Sequence, residues 1–128
     1  MDVANELAQY LDDAGFGTAG TDIFVGQMPE DTTGIYIVRL GGEQNEYLPI
    51  ERPTLVIYVL HTSGSTAITT LENIKRYIHR MFSTETDNAW IYSILAIGDI
   101  SDVDRDLEYN KIYSLTVELL IRDKNLIS

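Results

Sequence analysis

The chain has 128 residues, 45% of them hydrophobic, which fits one domain around one core and leaves little room for two. Nine Lys and Arg stand against 20 Asp and Glu, a formal net charge of -11. That balance excludes a broad phosphate-binding surface, because neutralising nucleic-acid phosphates takes clustered cations.

The absence of Cys removes disulfides, thiolate metal sites and thiol nucleophiles together. The N-terminus carries acids where a signal peptide carries positive charge, and no apolar run approaches the roughly 18 residues of a membrane span. The expectation is a chain that stays where it is synthesised, away from membranes.

In residues 3–14, Val3, Leu7, Tyr10, Leu11 and Ala14 fall on one stripe of a 3.6-residue helix, with Asp2 as its cap and Gly15 and Gly17 as its stop. Residues 21–26 (TDIFVG) read as a short strand, and MPEDTTG as a polar turn. Residues 35–40 (IYIVRL) and 53–61 (PTLVIYVLH) are β-branched and aromatic runs, strands with burial on both faces. Between them residues 41–52 read as a long loop, and loops of that length usually either do something or are disordered.

After TSGST, with Ser65 or Thr66 as cap, residues 66–82 form a helix whose stripe is Ala67, Leu71, Ile74, Ile78 and Phe82. Residues 90–98 are a fourth strand. Residues 109–123 are a fifth, in which Tyr113, Leu115, Val117, Leu119 and Ile121 alternate with a largely polar face. The order α-β-β-β-α-β-β predicts an α+β fold in which a mostly antiparallel sheet of about five strands carries both helices on one face.

Candidate sites are sparse. Asp102, Asp104 and Asp106 have the spacing of the first three ligands of a calcium loop, but Leu107 stands where that loop needs Gly and Tyr113 where it needs Glu. The stretch GDISDVDRDLE therefore reads as a solvated acidic connection between strands. His61 and His79 lack a third ligand at a zinc spacing. Ser63 and Ser65 sit on a strand-to-helix turn without the flanking glycines of a nucleophile elbow, the setting of a helix cap. No catalytic residue, metal site or cofactor is expected. Tyr47, Leu48 and Ile50, apolar residues on the long polar excursion, are the candidates for contact with a neighbouring subunit.

Several strings resemble one family, the tail terminator or tail-to-head joining proteins of long-tailed bacteriophages, also labelled tail completion or minor capsid proteins. They are the helix and Gly-rich turn LAQYLDDAGFG, the strand and turn IFVGQMPED, the strand RPTLVIYV, the helix TTLENIKRYIHRMF and the closing YSILAIGDISDVDRDLEYNKIYSLTVELLIR.

The resemblance implies a ring, by family precedent a hexamer, at the head-proximal end of the tail tube in the virion, assembled in the host cytoplasm. Its implied partners are further copies of itself, the tail tube protein and the head connector or completion proteins, with DNA passing through unbound. Under that reading Asp99, Asp102, Asp104, Asp106 and Glu108 line the lumen or rim, where like charge keeps phosphate from sticking. The alternative is an acidic binding module, of inhibitor or immunity type, docking on a basic partner.

Overall fold

The computed structural model describes residues 3–26, 34–44, 50–61, 63–78, 84–86, 89–105 and 111–123. Val3, Leu7 and Leu11 are fully buried on one side of helix α1 (Val3–Asp13), as the apolar stripe predicts. The helix stops through two reverse bonds: Phe16 N–H donates to Leu11 C=O (3.1 Å) and Gly15 N–H to Asp12 C=O (2.9 Å). Gly15 takes a φ of 89° there, a conformation glycine adopts without strain. Asp2, the expected cap, lies outside the described residues.

The remaining elements are β1 (Ile23–Val25), β2 (Gly34–Gln44), β3 (Ile50–His61), α2 (Gly64–Ile78), β4 (Thr84–Glu85), β5 (Ala89–Arg105) and β6 (Lys111–Asp123). They form one sheet in the order β1-β2-β3-β6-β5-β4. β1 runs parallel to β2, and the other pairs are antiparallel. The fold is α+β, as expected, with the two-residue β4 as an addition.

Both helices lie on one face of the sheet. Leu7 and Leu11 of α1 and Ala67, Leu71, Ile74 and Ile78 of α2 share a single core with Ile37, Ile57, Leu115, Val117, Leu119 and Ile121. Each fully buried Leu or Ile of this kind contributes about 1.5–3 kcal/mol. The opposite face is partly covered as well. Tyr36, Val56 and Leu60 are buried there, and Phe24 stacks on Tyr36 with ring centroids 5.2 Å apart. This explains why β2 and β3 read as apolar on both faces.

Three expectations need correction. The long loop of residues 41–52 is mostly strand. Gly41, Gly42, Glu43 and Gln44 continue β2 and pair with Thr54, Pro53, Arg52 and Glu51 of β3, past an irregularity at Leu40. Two glycines carry no side chain to show a strand pattern, so the pairing is invisible in the sequence. Ile50 accordingly opens β3 opposite Arg122 and does not sit on a loop.

The acidic connection is likewise strand as far as Arg105. Asp99, Asp102 and Asp104 belong to β5, which absorbs their polar pattern through register shifts at Ile91/Ser93, Ile97/Ser101 and Asp102/Asp104. Gly98, with a φ of 76°, turns the chain at the second shift.

The third correction is at α2, which starts at Gly64 and is capped by Ser63, not by Ser65 or Thr66. The Ser63 hydroxyl accepts from Thr66 N–H at 3.3 Å, and its carbonyl from Ala67 N–H at 3.1 Å.

Candidate assembly surface

On the helix face, the polar pairings among the described residues hold the fold. Of the two serines on the turn, Ser63 is occupied as a cap, with the Ser65 hydroxyl 3.1 Å from its own, and the Ser63 N–H donates to His61 Nδ1 at 2.9 Å. Lys75 of α2 reaches across to Asp99 of β5 at 3.2 Å. This exposed pair is worth at most about 1 kcal/mol. Around it lies an open cleft of about 380 Å³, lined by Ile68, Glu72, Lys75, Asp99, Ile100 and Tyr113. Among the described residues no three His, Cys, Asp or Glu side chains gather as metal ligands.

The structure only partly assembles the residues singled out in the sequence. Asp99 and Asp102 are exposed on β5, and Asp102 is paired in register with Tyr113. The backbone of Asp104 pairs with Ile112, while its side chain lies outside what is described. Asp106, Glu108, Tyr47 and Leu48 lie outside the described residues, as does the side chain of Ile50.

A surface that sequence reasoning missed is the far end of the sheet. Trp90, Leu95 and Ile97 stand 44%, 56% and 43% exposed along β5, with Tyr92 beside them. The register places them in line with Arg122, Glu118 and Thr116 of β6, away from the helices. At the other end of the sheet Leu40 is 62% exposed at the β2 irregularity. Single exposed apolar residues are ordinary, but a contiguous row marks an interaction surface.

The same strands also extend past the short strands at the two ends of the sheet. Among the described residues, β1 pairs with β2 only at Ile35, Tyr36 and Ile37, and β4 pairs with β5 only at Trp90 and Ile91. The rungs Val38–Val56–Thr116–Ile97, Arg39–Leu55–Val117–Ala96 and Gly41–Thr54–Glu118–Leu95 therefore cross four strands and end on backbone that no described strand covers, on both sides.

Fold and surface together define a small acidic α+β protein whose distinctive features, among the described residues, are surfaces. The chain belongs to the bacteriophage tail terminator family: the family model described as Bacteriophage tail terminator protein matches residues 10–123. A search of curated proteins finds no match. Membership makes the chain a structural component of the phage tail that works with other tail and head proteins.

Proposed function

We propose that the chain forms a ring, by family precedent a hexamer, at the head-proximal end of the finished tail tube. There it ends tube polymerisation, joins the tail to the head and leaves a passage for DNA. Its partners are its own copies, the tail tube protein and the head connector or completion proteins, and the ring forms in the host cytoplasm before joining the virion.

The single observation that carries this reading is the family match, which extends from the last turn of α1 through α2 and every strand. Two features support it. The exposed apolar residues Trp90, Leu95 and Ile97 on one strand are the kind of surface that marks an interaction site. The net charge of -11 suits a channel that phosphate must pass without sticking.

In this reading Tyr47, Leu48 and Ile50 touch the neighbouring subunit. Asp99, Asp102, Asp104, Asp106 and Glu108 line the lumen or its rim. Electron microscopy of the purified protein, alone and mixed with tail tubes, tests the assembly. Rings, or caps on tube ends, are the expected result. A protein that stays monomeric by light scattering at high concentration and leaves tube ends bare overturns it.

A further inference from the structure

We infer that neighbouring copies join by β-strand addition, the β5 edge of one copy pairing antiparallel with the β2 edge of the next, so that the sheet continues from subunit to subunit. This inference rests on the ring reading and specifies its contact.

Three observations carry it. The first is height. The rungs through Val38, Arg39 and Gly41 on β2 are the rungs through Ile97, Ala96 and Leu95 on β5, so the two edges that no described strand covers lie at one level of the sheet. Copies set side by side around an axis bring one edge to the other without a stagger. The second is direction. Three antiparallel steps, β2 to β3, β3 to β6 and β6 to β5, leave β5 running opposite to β2. A copy rotated about an axis along the strands therefore presents its β2 antiparallel to β5, the pairing the sheet already uses. Such a contact is head-to-tail, the kind that generates a ring when its rotation closes.

The third is how the edge is guarded. Proteins blunt free sheet edges with bulges, charges and short strands. On β5 those devices stand on either side of residues 93–97: β4 and the Ile91/Ser93 shift before them, the Ile97/Ser101 shift with Gly98 and the exposed Asp99 and Asp102 after them. Between these guards the strand is regular, and the whole stretch 90–98 carries no charge in a chain of net charge -11. Acidic copies repel one another, so a neutral window is where they can meet. Leu40 on the incoming edge and Leu95 and Ile97 on the receiving one supply exposed apolar surface beside the new pair.

The chain has no Cys, so cross-linking reads the contact directly. Within one copy residues 38 and 97 are three strand spacings apart, about 14 Å, beyond the roughly 4.4–6.8 Å that a disulfide spans between Cα atoms. Val38→Cys combined with Ile97→Cys, and Val38→Cys with Leu95→Cys to allow a two-residue shift of register, are expected to give oxidised ladders up to the full ring. The single-Cys variants are expected not to go beyond dimers.

Leu95→Pro and Ala96→Pro complete the test, since alternation points one of these two N–H groups at the open edge. That variant is expected to keep its circular dichroism spectrum and to need about tenfold or more protein to assemble, because it lacks a ladder donor. Rings in the unaltered protein, together with no ladder from either Cys pair and unimpaired assembly of whichever proline variant folds, overturn the edge contact and leave the ring standing. Absence of any ring from the unaltered chain overturns the ring reading itself.

Discussion

The Thr86 hydroxyl donates a hydrogen bond to the Glu6 carboxyl group, joining residues 80 positions apart in the sequence, and both are buried. Glu6 lies in the first turn of α1, and Thr86 follows β4, where its N–H donates to Ala89 C=O at 2.9 Å. The bond therefore fastens the first helix to the hairpin that starts β5. Removing one partner leaves the other with a buried polar group short of a bond, at a cost of about 1–3 kcal/mol. Thr86→Val is expected to lower the stability measured by urea unfolding by that amount. The Glu6→Gln, Thr86→Val double-mutant cycle is expected to show coupling. An unchanged unfolding midpoint in Thr86→Val means the bond adds nothing.

Tyr10 supplies a second tie, this one between the two helices, and a pH dependence. Its ring lies 5.4 Å from that of Tyr77 of α2, which also meets Phe16 edge-on at 5.6 Å. Burial, and then the hydrogen bond with Tyr77, pushes the Tyr10 hydroxyl above the usual tyrosine range. The folded chain thus keeps this proton while the unfolded chain releases it near pH 10, as an ordinary tyrosine does. The contribution is fully present below about pH 10 and drains away as pH rises beyond it toward the folded value. Urea midpoints at about pH 8 and pH 11 are expected to fall less steeply in Tyr10→Phe than in the unaltered chain. Parallel slopes refute the assignment.

The elements that were legible in the sequence are those whose side chains alternate or recur with one period. The α1 stripe of Val3, Leu7 and Leu11 and the β6 row of Leu115, Val117, Leu119 and Ile121 are buried as their spacing demands. What escaped were strand residues without such a pattern. Gly41 and Gly42 have no side chain to alternate, and Asp99, Asp102 and Asp104 look like loop because their strand is interrupted by register shifts.

The assembly surface was hidden for a different reason. Residues 90–98 read plainly as an apolar strand, yet its exposure depends on strand order. β5 sits outside β6, and β6 has inserted next to β3. No local pattern records which of two apolar strands ends a sheet. β4, two residues long, is too short to leave any periodic signal.

Ser63 offers a local test of how α2 begins. Its hydroxyl satisfies the N–H of Thr66, one of the four donors a helix start leaves without an internal partner. Ser63→Ala is expected to cost about 1 kcal/mol and Ser63→Asp to be tolerated, since Asp caps as well as Ser. Ser65→Ala, at the position the sequence suggested, is expected to cost less, because the Ser65 hydroxyl contacts Ser63 and caps no N–H itself. Thermal unfolding of the three variants gives the ranking, and an equal loss from Ser65→Ala contradicts the cap.

Neutralising the acids tests the proposed passage for DNA. Asp102 is exposed on the strand that also carries Asp104, and Asp106 follows in the sequence. If these carboxylates line the lumen, Asp102→Asn, Asp104→Asn and Asp106→Asn together lower the repulsion that keeps phosphate from the wall. The triple variant is expected to fold and to build virions, since exposed charges of one sign add little stability. It is expected to release DNA more slowly than the unaltered particle. The difference should shrink as salt rises, because charges farther apart than about 8–10 Å are screened at 0.1–0.15 M ionic strength. Asp13→Asn, Asp22→Asn and Glu85→Gln together, three exposed acids outside β5, provide the control for an equal change in total charge. Ejection slowed equally by both, or by neither, removes these acids from the lumen.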